Sequence, residues 1–206
     1  MTANIGYGKL KEPLIRAVGF FRALKASAPN GRFLDSWFAD PRNETGWGPV
    51  GHFQAPKGGL GQGTLQAPSV FNFFSPDFSP PGPMAAAGLV APEMQITDAI
   101  LALQVPNTML SFLYRTAPPV ANAPTPSPFV ELNFAEFLPN ARNSAALIDQ
   151  LNLLFCGNNL SAATRARVTT AHQSAVNNTS PTVTDTERVR VAMHLVLVSP
   201  DAAVQR

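Results

Sequence analysis

Hydrophobic residues fall at three- and four-residue spacing near both ends of this chain, and the middle loses that pattern to proline and glycine. Leu10 to Lys25 gives the clearest helix. Pro13 suits a first turn, and Leu14, Val18, Phe21 and Leu24 recur on one stripe that Phe20 widens. Ile96 to Tyr114 predicts a helix broken at Pro106, where a donor is lost and the ring meets the preceding turn. Asn143 to Cys156 predicts another, with Leu147, Leu151, Leu154 and Phe155 inward and Gly157 as its stop. Ser161 caps a helix running to about Val176. Thr184 and Glu187 have capping-box spacing for a last one, with Val189, Ala192, Met193 and Val196 on its inner face. Its VLV run is also compatible with a strand, and Pro200 ends it before a short terminal turn.

Between these helices the chain is irregular. Residues 27 to 67 are glycine-rich, hold Trp37 and Trp47, and read as a structured loop over the core. Residues 116 to 139 carry six prolines and read as an extended connector or hairpin insertion. The expected class is mainly α: one irregular helical domain over residues 1–206 with long Pro/Gly-rich loops and room for a small hairpin.

The segment from Pro68 to Gln95, PSVFNFFSPDFSPPGPMAAAGLVAPEMQ, is the least ordinary part. It holds Phe71, Phe73, Phe74 and Phe78, six prolines, no lysine or arginine, and two carboxylates, Asp77 and Glu93. Solvated loops are usually polar, and proline forbids a long regular helix. The expectation is an irregular path, largely buried, with all four rings inside.

Three elements together carry a family resemblance: LKEPLIRAVGFFRAL (Leu10 to Leu24), the central run, and the closing SPDAAVQR (Ser199 to Arg206). The chain resembles the bacterial family called domain of unknown function 1800 over nearly its whole length. Phe78, Met84, Met94 and Asp201-Ala202 stand where the family usually has tyrosine, isoleucine, phenylalanine and Glu-Phe. The resemblance implies a largely helical protein, typically longer, often exported, with no established activity or catalytic residues to carry over. It further implies a periplasmic or secreted location, and a candidate partner in the co-encoded family of unknown function 1501, which resembles sulfatases and phosphatases. Members generally carry another helical region ahead of the K/R-E-P-L helix. The opening residues MTANIGYGKLKEP show no charged stretch followed by an apolar one, so no signal peptide is legible. A C-terminal piece of a longer member is therefore expected, with self-association through apolar surface near the Leu10 to Lys25 helix.

Composition narrows the field. Apolar residues make up 45% of the chain, enough for a core, and no apolar run approaches the ~20 residues of a membrane helix. Cys156 is the single cysteine, which excludes an internal disulfide; in LLFCG it reads as a buried, inert thiol. The net charge is only +2. Residues 1–60 hold eight Lys/Arg against four Asp/Glu, whereas residues 61–114 hold three acids and no base. The front-end charges, Lys9, Lys11, Arg16, Arg22 and Lys25, are dispersed and accompany no nucleic-acid motif, so they read as a solvated helix face.

Candidate chemistry is sparse. GxSxG, P-loop, dinucleotide and HExxH motifs are all missing. The glycines of GGLGQG (Gly58 to Gly63) lack the following Lys-Ser/Thr of a phosphate loop and read as a turn. Among the histidines, His194 reads as packed in its helix and His172 as surface-exposed. His52 lies in a loop near the central segment; with Ser75 as nucleophile and Asp77 or Glu93 as orienting acid it would complete a hydrolytic triad. The carboxylates also admit a binding role. Asn72, Ser75, Asp77, Glu93 and Gln95 offer hard oxygens suited to Ca²⁺ or Mg²⁺. Local capping is the alternative: a Ser75-Pro76-Asp77 turn, and Glu93 in a first helical turn. An acid in apolar surroundings needs a counterpart, and Arg16, Arg22 and Arg188 are the expected donors.

Two functions follow. One is a non-catalytic helical protein with a structural or partner-binding role. The other is an esterase- or lactonase-like hydrolase with a pocket lined by residues 52–95. The lack of a strong nucleophile–base or metal signature favours the first.

Overall fold

A computed structural model describes residues 8–27, 37–39, 47–49, 59–62, 67–114 and 130–205. Among them lie seven α-helices and two small antiparallel ribbons, so the protein is mainly α, as its pattern predicts. The helices are α1 (Pro13–Ala23), α2 (Pro83–Ala86), α3 (Ala99–Tyr114), α4 (Ser144–Leu151), α5 (Ala162–Asn177), α6 (Asp185–Leu197) and α7 (Pro200–Ala203). Strand β1 (Lys9–Leu10) pairs with β4 (Val204–Gln205), and β2 (Trp37–Ala39) with β3 (Trp47–Pro49). The hairpin thus falls in the glycine-rich stretch. The proline-rich residues 115–129, where an insertion was also expected, lie outside the described residues.

The C-terminal helices follow their sequence signals closely. Ser161 caps α5 by accepting from the Thr164 amide, and Thr184 caps α6 by accepting from the Glu187 amide at 3.2 Å. Val189, Ala192, Met193 and Val196 are fully buried, and the VLV run closes the helix, with Val198 as its C-cap, and forms no strand. Helix α4 passes into a π-helical turn, Asn152–Cys156, that Gly157 ends at φ +56°. The wider turn adds a residue to the helical repeat, so Phe155 and Cys156 face the core while Leu153 and Leu154 point out. Leu154 was expected inside; the π turn is why it is not. Burial raises the Cys156 thiol pKa to about 11, consistent with an inert role.

The front helices depart more from expectation. Helix α1 buries Ala17, Phe20, Phe21 and Leu24 and leaves Val18 42% exposed, so its inner stripe is rotated away from Leu14 and Val18. Phe20, Phe21 and Phe112 of α3 pack ring against ring, with centroids 4.8–6.1 Å apart. Helix α3 runs through Pro106 without breaking, because tertiary packing of Val105, Met109, Phe112 and Leu113 offsets one missing hydrogen bond. Arg190 of α6 lies over the Tyr114 and Phe134 rings at 5.3 and 5.2 Å, fastening α6 to α3.

Part of the GGLGQG stretch turns out to be a helix cap. The buried Gln62 accepts from the Leu14 amide at 3.0 Å and donates to Glu12 at 2.7 Å, closing the open end of α1. Gly61 sits at φ +65°, a backbone conformation that favours glycine, and a Cβ there would have to displace the Leu101 side chain, 2.5 Å away.

His172, expected at the surface, is fully buried. Its Nε2 lies 3.1 Å from the Ala141 carbonyl, which can only accept, and its Nδ1 lies 2.8 Å from the Ser144 hydroxyl. The neutral ring therefore joins α5 to the start of α4. Burial lowers its pKa below 6.5, and His194, packed against the Pro106 main chain, is lowered by burial too.

The central segment is irregular, as expected, but not buried. Phe71 is 62% exposed, Phe73, Phe74 and Phe78 are half-buried, and none belongs to the core. Its order is local. The Phe78 amide closes a turn on the Ser75 carbonyl, Ser79 donates to the Leu89 carbonyl at 2.7 Å, and the Ala91 amide donates to Phe78 at 2.8 Å. Prolines fix the path and these bonds satisfy the main chain, so the rings need not enter the core.

Two measurements test this packing. Phe20→Ala should lower unfolding free energy by about 3–5 kcal/mol, and Phe71→Ala by no more than about 0.5, in urea titrations. For the histidines, unfolded imidazoles bind protons near pH 6.5 before the folded ones do, so stability should fall as pH drops through 6.5. His172→Gln should flatten that slope; an unchanged slope would show that His172 does not contribute to it.

Candidate functional site

The three segments that carry the family resemblance are far apart in sequence and meet at one cleft of about 500 Å³. Strand β1 contributes Lys9 and Leu10, and β4 contributes Val204 from the opposite end of the chain. The central segment supplies the far wall: Met84 from α2, Leu89 to Ala91, and Pro92 to Met94 from a 3₁₀ turn (Pro92–Ile96). Proline opens both α2 and this turn, and Gly88 at φ +66° reverses the chain between them.

Glu93 is the cleft's one buried charge, 4% exposed. Its carboxylate lies 2.7 Å from the Lys9 ammonium, whose side chain is 67% exposed. The Glu93 carboxylate raises the Lys9 pKa above 10.5, first by their hydrogen bond and then by charge attraction. A counterpart distant in sequence was expected for this segment's acids, and Glu93 has one. The donor is Lys9, not Arg16, Arg22 or Arg188. Arg188 turns instead to Asp185 at 2.9 Å and to the Asn178 carbonyl, and Arg16 to the Leu197 carbonyl. Short local sequence distance to a surface helix hid the role of Lys9; its place on β1 emerges only once β4 returns to pair with it.

The other candidates do not gather around Glu93. Asp77 is exposed within the turn that Pro76 starts, and Ser75 is exposed, its amide donating to Gln95 Oε1 at 2.6 Å. Asn72 is exposed at φ +71°. His52 lies outside the described residues. For a Ca²⁺ or Mg²⁺ ion the donor set does not fit: no three His, Cys, Asp or Glu side chains converge among the described residues, and an ammonium already faces the one buried carboxylate. Among the described residues, the cleft lining holds no serine, cysteine, threonine or histidine. What it offers is apolar walls with two methionines, a two-stranded ribbon, and an ion pair.

A mainly α domain whose distant motifs close one apolar cleft over a buried, ion-paired acid is the class that fold and site define. The sequence matches the profile of the protein family of unknown function DUF1800 over residues 2–204, and the chain belongs to that family. No curated protein and no solved structure matches it.

Because Glu93 is buried and Lys9 is not, the two halves of the pair should respond unequally. Lys9→Met strands a buried carboxylate and should cost about 1–3 kcal/mol, whereas Glu93→Gln leaves a lysine free in water and should cost less. In the parent, the raised Lys9 pKa gives a contribution present below pH 10.5 and lost as pH rises through the higher folded value. Chemical denaturation of both variants, compared near pH 8 and above 10.5, checks the order and the sign.

Proposed function

We propose that this chain acts as a non-catalytic, partner-binding module of an envelope-associated or exported protein, and that the Lys9–Glu93 cleft receives the partner. The observation that carries this reading is the cleft lining itself, apolar around one ion-paired acid and, among the described residues, without a nucleophile. Val90, 58% exposed at its rim, and the two methionines suit an apolar segment of another protein. A member of family 1501 is the first partner to test. Among the described residues no helix is long and apolar enough to cross a membrane.

One observation favours the hydrolase alternative: the Ser144 hydroxyl and His172 Nδ1 lie 2.8 Å apart. The ring is fully buried, however, and neither residue lines the cleft. A structural joint accounts for both.

Val90→Glu, a rim substitution outside the core, should leave the melting temperature unchanged and weaken capture of a purified family 1501 protein by about tenfold or more. Esterase and lactonase substrates should remain intact with the parent. Turnover lost in Ser144→Ala or Glu93→Gln, with unchanged melting, would establish the hydrolase instead.

A further inference from the structure

A second groove, of about 370 Å³, lies on the other side of the β1–β4 ribbon, lined in part by Lys11, Ile15, Arg16, Leu153, Leu154 and Gln205. Its two cations are unusual in their partners. Lys11 donates to the Phe155 carbonyl at 3.0 Å and Arg16 to the Leu197 carbonyl. Neither forms an ion pair with an acid, although six pairs occur elsewhere among the described residues. Those carbonyls end the π turn and α6, and a helix end supplies only roughly half a negative charge. Two full positive charges are therefore incompletely offset. Burial lowers the proton affinity of both; for Lys11 the neighbouring Cys156 partly opposes this, and Arg16 adds to it by repulsion. Arginine has five donors and lysine three, and among the described residues each gives one side-chain bond to a carbonyl. Both side chains line the groove.

The walls beside these charges are apolar and wet. Ile15 is 57% exposed, Leu153 60% and Leu154 48%. The last two point outward because of the π turn. We propose that this groove binds a small amphiphilic anion, its carboxylate or phosphate head between Lys11 and Arg16 and its short alkyl tail along Ile15, Leu153 and Leu154. Charge complementarity selects the head, since an anion relieves the Lys11–Arg16 repulsion and can take a forked contact from the guanidinium. The volume falls within the range of small-ligand sites, roughly 300–1,000 Å³.

Octanoate, octyl phosphate, octylamine and inorganic phosphate, each titrated well below micelle-forming concentrations, separate head from tail. Calorimetry and melting should show binding of octanoate or octyl phosphate and none of octylamine. Arg16→Gln, which keeps a donor for Leu197, should weaken the anion by about tenfold or more. Because that variant touches a helix end, Leu154→Glu supplies a second test: it leaves the fold intact, places an acid on the tail wall, and should weaken binding similarly. Octylamine binding as well as octanoate, inorganic phosphate binding as tightly as octyl phosphate, no binding of either amphiphile, or Leu154→Glu behaving like the parent would each overturn the site. So would a dimer that Leu154→Glu dissociates, since the groove would then be an interface between two copies.

Discussion

Helix α6 is the surface on which the rest of the protein is assembled. Its inner face, Val189, Ala192, Met193 and Val196, is sealed from water, and α3, α4, α5 and α7 all pack against it. Burial of this size is the dominant favourable contribution to folding. Around it the polar groups are placed to let the packing close. Arg190 covers two rings while bonded to Glu187, and the neutral imidazole of His172 ties α5 to the α4 start. Burial and the Arg188 charge outweigh the Ala141 hydrogen bond there, so the core favours the neutral ring.

The front of the chain is held to this scaffold by polar stitches more than by apolar area. Strand β1 pairs with β4, the Lys11 amide reaches the Ala203 carbonyl, and Lys11 and Arg16 side chains grasp two helix ends. Only the Ala17, Phe20, Phe21 and Leu24 side of α1 is truly inside. Both clefts flank this junction, which explains why ionic groups sit there rather than in the core. The same residues that hold the front helix in place leave charge and apolar wall facing solvent.

Legibility from sequence divides along the same line. The C-terminal helices were readable because caps, stops and apolar stripe agree: Ser161, Thr184 and Gly157 mark boundaries that the structure keeps. Helix α3 was readable as a helix but not as continuous, because local proline chemistry says nothing about the packing that overrides it. The four phenylalanines misled, since hydrophobicity alone cannot reveal that nearby turns satisfy the main chain and leave rings half-exposed. At the candidate site, Glu93 was identifiable as an acid needing a partner. Lys9 was not, because a two-residue strand pairing leaves no periodic trace. Gln62 as a cap and Leu154 as an outward residue were equally silent, the first depending on a distant loop and the second on one π turn.

The β1–β4 ribbon has a consequence for the order of events during synthesis. Its strands lie far apart in sequence, so β1 leaves the ribosome well before β4 and waits unpaired until Val204 and Gln205 follow. Helices α4 to α6 can associate meanwhile, since their contacts are close in sequence and form readily. The β1–β4 pairing must await the last of these residues, and with it both clefts are completed. A nascent chain therefore presents neither Glu93 paired with Lys9 nor the Lys11–Arg16 groove, and ligand recognition at either place becomes a property of the finished molecule alone.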